Sequence, residues 1–452
     1  MKNRFVFLLL FLFTFLPFYG QSAFDFISRN RNFSASNYCI YPDTIEYRMT
    51  PPPAGKKPFY ISHYGRHGSR YLNNRKGYDI PYNMLCKVDS MHMLTELGRK
   101  VKQEIKSIID DTEGRWGDLT SLGRQQHRDI ARRMMERFPE VFSGKAYVDA
   151  RSTTVNRCIL SMGEAVQQML ALNPRLQVTM QASKRDMNYM NYQDSALRSI
   201  METDSTRKAF KAFSRSRERN PRLMNLLFTN ADSVVKVIDE AQLNYYILKT
   251  GLIQQNISSN DSCQLLNLFT YEELHQYWQM ENAWWYFTYG PSPINGSRQP
   301  YTQRYLLRQL IADADSCIHQ PRHGAQLRFG HETVILPLTC LLGINGFDAQ
   351  IDDLELLEPS GWWACLVFPM ASNIQFVFYR SDVNDRDIIF KVLLNEEEAR
   401  LPLLTDIAPY YHWSDFRDYY LLKLDAYSYQ TGKKEVATGK APTASNTFSS
   451  YE

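Results

Sequence analysis

The run Ser62-His63-Tyr64-Gly65-Arg66-His67-Gly68-Ser69-Arg70 sets one histidine between two arginines. Guanidiniums grip phosphate oxygens with paired hydrogen bonds, and an imidazole between them is placed to attack phosphorus. Gly68 carries no Cβ, so the backbone is expected to turn there and approach a ligand closely. Clustered cations also disfavour protonation of His67, which keeps its imidazole neutral and nucleophilic below neutral pH. The spacing Arg-His-Gly-x-Arg therefore points to phosphate handling rather than to a basic surface loop.

Such a loop needs elements to present it. Phe59 to His63 reads as a buried strand delivering the loop at its carboxyl end, the usual ligand position in an α/β sheet. Thr120 or Ser121 can cap a helix whose Leu122, His127, Ile130, Met134 and Phe138 share one face until Pro139 ends it. On that apolar stripe His127 reads as a packing residue. Ala146 to Asp149 reads as a second strand, after which Arg151-Ser-Thr-Thr-Val-Asn-Arg157 opens another helix. Arg157 would lie near that helix start, where backbone N–H groups and the dipole also favour anions. Ala325 to Phe329 repeats the pattern and leads into Gly330-His331-Glu332-Thr333, and Trp363 to Phe368 with Gln375 to Tyr379 reads as a hairpin around Met370 to Asn373.

Between 184 and 310 the pattern is helical and aromatic, as in Ala209 to Phe213, Ser233 to Ile247 and Tyr271 to Tyr289. This stretch is expected to be an inserted helical subdomain that splits an α/β core into 24–183 and 311–430. Residues 431–452 are polar and are expected to form a flexible tail.

Composition limits the classes of function. With 44% hydrophobic and 22% charged residues the chain is globular rather than disordered. A net charge of +4 is too mild to suggest nucleic acid. Lys2 and Arg4, then the 15-residue apolar run Phe5 to Tyr19, then Gly20, Ser22 and Ala23 read as an export signal over 1–23. The run falls short of the roughly 18 apolar residues of a membrane span. A periplasmic or extracellular location is expected, without stable membrane insertion after signal removal. Seven cysteines allow up to three disulfides with at least one thiol unpaired. None forms Cys-x-x-Cys, no zinc-ligand spacing appears, and Pro321 separates His319 from His323, so neither a metal nor another cofactor is expected. The basic run Arg207, Lys208, Lys211, Arg215, Arg217, Arg219 and Arg222 reads first as a solvated helix face and second as a rim attracting an anionic substrate.

The three loops, their order, the helix opening Leu119-Thr120-Ser121-Leu122-Gly123-Arg124 and the helical insertion together resemble the histidine phosphatases, in their acid-phosphatase and phytase branch. The resemblance implies an α/β fold, a mixed central sheet flanked by helices with an inserted, mainly helical subdomain. It implies that His67 is the nucleophile, that Arg66, Arg70, Arg157 and His331 bind the substrate phosphate, and that Glu332 protonates the leaving group. Glu332 stands where that branch carries aspartate, one methylene shorter. Arg157-Cys158, Tyr71 after Arg70, and Phe329-Gly330-His331 before Leu336-Pro337-Leu338 are similar to the multiple inositol polyphosphate phosphatases, although that group typically carries His-Ala-Glu where this chain has His331-Glu332-Thr333. The expected ligand is a small-molecule phosphate ester, with inositol polyphosphates first and a broad acid-phosphatase or sugar-phosphate activity second; a phosphoester-binding protein without catalysis is the reading from another class. Arg75, Lys76, Lys184 and Arg185 are further candidates for contacting a densely charged substrate.

Overall fold

A computed structural model describes residues 22–42, 49–201, 203–257 and 265–438. The export-signal run, Cys263 and residues 439–452 lie outside them.

The centre is one eight-stranded sheet with strand order β3-β2-β4-β1-β5-β6-β7 and β8 beside β6. Its strands are β1 (Lys57–Arg66), β2 (Tyr147–Ser152), β3 (Gln177–Gln181), β4 (Gly324–Gly330), β5 (Asn373–Arg380), β6 (Ile389–Leu394), β7 (Glu397–Ala399) and β8 (Tyr411–His412). β3, β2, β4 and β1 run parallel; β1 then pairs antiparallel with β5, and β5 with β6. The sheet is therefore mixed, with β1 at the junction of its two halves. β1 is buried almost throughout, and β5 entirely, because helices cover both faces. On one face Ile61, Val148, Leu327 and Val377 pack with the helices Ser121–Arg137 and Asn156–Leu172. On the other, Tyr64, Phe376 and Phe378 pack with Arg304–Ile318, Glu332–Leu342 and Trp413–Thr438.

Between 182 and 323 the described residues hold helices and no strand. Thr270 caps Tyr271–Tyr289 reciprocally with Glu273, whereas the stretch from Ser233 to Ile247 is broken into Ala231–Val234 and Glu240–Ile257. The apolar faces of these helices share a core with residues far earlier in the chain, Ile27, Leu85, Val101 and Ile105 meeting Leu223, Leu243, Ile247 and Trp278.

Three elements differ from expectation. The expected hairpin does not form: Ala364–Val367 is a short helix, and β5 takes β1 and β6 as neighbours. Polar side chains hold this segment in its turns, with Asn282 Oδ1 accepting from Ala364 N at 2.8 Å and Asn395 Nδ2 donating to the Leu366 carbonyl at 2.9 Å. β3 went unforeseen because an exposed edge strand, Gln-Val-Thr-Met-Gln, shows little apolar periodicity. Residues 431–438, expected within the flexible tail, complete the last helix. The six described cysteines, Cys39, Cys86, Cys158, Cys317, Cys340 and Cys365, are free thiols.

Candidate active site

Three adjacent parallel strands end together: Arg66 closes β1 opposite Gly330 of β4, and Ser152 closes β2 opposite Phe329. The strand ends, the loops after them and the helix starts they lead into carry every residue of the expected site.

The first loop is held by its backbone. Arg66 N donates to the Ser372 carbonyl (2.7 Å), His67 N to the Gly330 carbonyl (2.9 Å), Gly68 N to Ser161 Oγ (3.1 Å) and Ser69 N to Gln126 Oε1 (2.9 Å). Ala371 N donates in turn to the His67 carbonyl (3.0 Å). Gly68 faces the capped start of the helix Ser121–Arg137, where a Cβ would stand 2.3 Å from the Gly123 carbonyl oxygen. The glycine thus lets loop and helix approach each other, where the sequence suggested approach to a ligand. Gly123 is its counterpart, with a Cβ there 2.3 Å from the Ser69 carbonyl oxygen.

His67 is fully buried, and its Nδ1 lies 2.9 Å from the Gly68 carbonyl. A carbonyl only accepts, so Nδ1 carries the hydrogen and Nε2 of the neutral ring presents its lone pair. Nε2 makes no hydrogen bond and stands 3.5 Å from Glu332 Oε2. Burial and the charge of Arg157 hold the ring well below the ordinary imidazole pKa, against the opposing pull of Glu332.

Glu332 opens the helix Glu332–Leu342, whose N-terminal dipole favours its carboxylate. Its Oε1 accepts from Arg66 Nη2 at 2.9 Å and from Asn37 Nδ2 at 3.4 Å, and lies 3.7 Å from Arg70 Nη2. Burial raises its pKa, but the charges of Arg66 and Arg70 outweigh burial and keep the carboxyl well below its ordinary range. Arg66, itself buried, is lowered to about 10 by desolvation. Its Nη1 donates to the carbonyls of Asn37 (2.8 Å) and Phe368 (2.6 Å), while Arg70 Nη1 donates to the Tyr71 carbonyl (2.9 Å).

His331 stands across from His67, ring centroids 5.8 Å apart, with Nε2 3.2 Å from Thr153 Oγ1. Burial, then the charge of Arg157, lowers it to about 3. Arg157 sits in the first turn of Asn156–Leu172 and is the strongest single cationic influence on both histidines. His67, His331 and Glu332 place ligand atoms within 4.8 Å of one another, a spacing that suits a metal ion. The surrounding charge suits an anion instead, because Arg66, Arg70 and Arg157 set positive charge around the cluster.

The other candidates are exposed or have acidic partners of their own. Arg75 pairs with Asp79 at 2.8 Å, Lys76 and Lys184 are exposed, and exposed Arg185 lies 3.9 Å from Asp186. In the basic run Arg207, Arg217, Arg219 and Arg222 pair with Asp204, Glu355, Glu240 and Glu273. Arg151 is held by Asp149 and Tyr189, and His127 is buried against Phe329. Sequence reading missed Asn37 and Tyr38, which reach the site from ahead of β1, and Thr153, whose partner His331 is 178 residues away. Thr153 lay inside a segment already singled out; Asn37 carried no signal of its own.

The family model of the histidine phosphatase superfamily, branch 2, matches residues 65–395, and the chain belongs to that family. Its enzyme class is phosphomonoester hydrolysis. No curated protein matches the chain. Among solved structures, the Bifidobacterium longum multiple inositol polyphosphate phosphatase in complex with phosphate is similar at 17% identity and TM-score 0.67, covering 84% of this chain and 96% of that one. The same enzyme in complex with inositol hexasulfate gives 16% identity and TM-score 0.65 over the same shares. The phytase from D. castellii gives 14% identity and TM-score 0.60, over 86% of this chain and 84% of that one.

Proposed function

We propose that the protein is an exported phosphatase that works through a phosphohistidine on His67 and dephosphorylates inositol polyphosphates such as phytate. The observation that carries the reading is the bare Nε2 of a neutral His67, its hydrogen held on Nδ1 and donated to the Gly68 carbonyl, among three arginines and 3.5 Å from a carboxylate.

In the free enzyme Glu332 stands in for an anion on Arg66 and Arg70. A phosphate dianion has more oxygens to offer the guanidiniums and displaces it. Beside that dianion the Glu332 carboxyl takes up a proton, since like charge raises its pKa. Nε2 then attacks phosphorus as the ester P–O bond breaks, Glu332 passes its proton to the departing alcohol oxygen, and Arg66, Arg70 and Arg157 balance charge on the transferring group. In the second half-reaction water attacks phosphorus, Glu332 accepts its proton, and the P–N bond breaks to return neutral His67 and phosphate. No step calls on a cofactor.

The substrate reading draws support from the names and ligands of the similar enzymes above and from the arginines gathered around His67 and His331. Export is supported by the N-terminal run over 1–23; among the described residues no helix is long and apolar enough to cross a membrane. Phosphate release from inositol hexakisphosphate and from a simple sugar phosphate, across acidic to neutral pH, tests the proposal. A clear preference in kcat/KM for the inositol ester is expected. Equal values move the reading to a broad phosphatase, and no release from any ester moves it to a binding protein.

A further inference from the structure

The catalytic loops account for three walls of the site, and the chain ahead of β1 makes a fourth. The 3-10 segment Arg31–Tyr38 carries Ser36 at φ 52°, ψ −118°, buried and outside the basins that serine ordinarily occupies. That turn aims the next two residues inward. The Asn37 carbonyl accepts from Arg66 Nη1 at 2.8 Å, the Asn37 side-chain amide donates to Glu332 Oε1 at 3.4 Å, and Arg70 lies 5.6 Å from the Tyr38 ring centroid. The segment is pinned from behind: Asn256 Nδ2 donates to the Tyr38 carbonyl and Met370 N to the Cys39 carbonyl, both at 2.8 Å.

We propose that Asn37 is a positioning residue that decides which oxygen of the Glu332 carboxyl carries the transferable proton, an inference resting on the reading of Glu332 as proton donor. Guanidinium and side-chain amide N–H groups only donate. Oε1, which faces Arg66 and Asn37, must therefore stay an acceptor, and a proton on the carboxyl belongs on Oε2. Oε2 is the oxygen turned toward His67 Nε2, 3.5 Å away. When substrate phosphate takes over Arg66 and Arg70, the Asn37 amide remains to hold Oε1 in its accepting role. Neutrality matters here. A cation at this position would keep the carboxyl ionised, and an anion would repel it; an amide orients the group without opposing its protonation.

The test compares turnover of an alkyl phosphate, whose leaving alcohol needs a proton, with that of nitrophenyl phosphate, whose leaving group does not. Asn37→Ala is expected to lower kcat on the alkyl ester about tenfold, a modest share of what a general acid contributes. On the nitrophenyl ester kcat should stay within about twofold, and inhibition by inorganic phosphate should not change. Asn37→Asp, of the same shape, adds a negative charge beside Glu332 and should move the basic limb of the alkyl-ester kcat profile to higher pH. In a Glu332→Gln background, Asn37→Ala should leave the ratio of the two turnovers unchanged. Equal losses on both esters, or an unchanged ratio with an unmoved profile in Asn37→Asp, overturn the proposal even where Glu332→Gln shows the selective loss. Absence of selectivity in Glu332→Gln itself removes the proton-donor reading beneath it. Asn37→Asp preserves shape and the backbone carbonyl to Arg66, so it carries the test if the alanine variant folds poorly.

Discussion

Glu332 and Glu396 each sit buried between a pair of arginines, and only Glu332 is equipped for chemistry. Glu396 receives Arg133 Nη2 at 2.6 Å, Arg137 Nη1 at 3.1 Å and the Tyr41 hydroxyl at 3.0 Å. Tyr41 accepts from Asn373 Nδ2 at 3.1 Å, and Asn373 Oδ1 accepts from Gln375 Nε2 at 2.8 Å. No buried side-chain polar atom of these groups is orphaned. The network also holds Glu396 at φ 69° beside Asn395 at φ 52°, a pair of left-handed residues turning β6 into β7. Glu332 has the same kind of arginine partners but looser distances on Arg70 and Asn37, a 3.5 Å approach to an imidazole, and two neutral histidines nearby. A satisfied cluster builds structure, whereas one with a bare lone pair and displaceable contacts is ready to exchange its carboxylate for phosphate.

The sharpest way to break the contrast is through function. Glu332→Gln should cost about 10²- to 10⁴-fold in kcat on an alkyl phosphate, much less on nitrophenyl phosphate, and little in thermal stability. Glu396→Ala should do the reverse. Stranding two arginines near the interior should lower unfolding free energy by about 3–5 kcal/mol, while kcat of the folded fraction stays near that of the parent; urea denaturation with activity measured on the same samples checks both. If Glu396→Ala loses turnover but not stability, the distinction fails.

Smaller effects sharpen it. Gly68→Ala forces a Cβ against the Gly123 backbone and should cost about 1–3 kcal/mol of stability, read from the urea midpoint. pH should act in one direction. Burial holds His63, His127 and His331 at about 3 in the fold, against 6.5 for free imidazole; neighbouring cations add to it at His63 and His331, whereas at His127 the Arg66 backbone and Glu164 pull the other way. The unfolded chain therefore binds more protons between pH 6.5 and about 3, and stability falls as pH falls through that window. Each histidine contributes up to about 1.4 kcal/mol per pH unit. Glu332, depressed in the fold, acts in the same sense. A urea midpoint that rises between pH 6.5 and pH 5 would contradict the buried neutral state of these rings.

The chemical groups of the site were legible because each lies just after a strand signal, in a short loop whose charged residues have no apolar role. Phe59 to His63 and Ala325 to Phe329 fall inside observed strands, and Ala146 to Asp149 starts one residue ahead of β2. What escaped the sequence depends on distant partners. Residues 363–368 are apolar enough to read as a strand, yet Asn282 and Asn395 capture their backbone groups from far along the chain. Asn37 belongs to no pattern, and its significance exists only once β1 and the helix Glu332–Leu342 meet. The role of Gly68 was legible as to type but not as to cause, since its neighbour is 55 residues away in sequence.

Phosphorylation of His67 Nε2 is the step on which the proposed mechanism stands. Rapid acid-free quenching of the enzyme with a radiolabelled phosphate ester should trap a protein-bound phosphate that is stable to alkali, is released by acid and maps to His67, and His67→Ala should form none while losing at least about a thousandfold in kcat. Normal amounts of phosphoenzyme in His67→Ala, or phosphate attached elsewhere in the parent enzyme, would contradict the account.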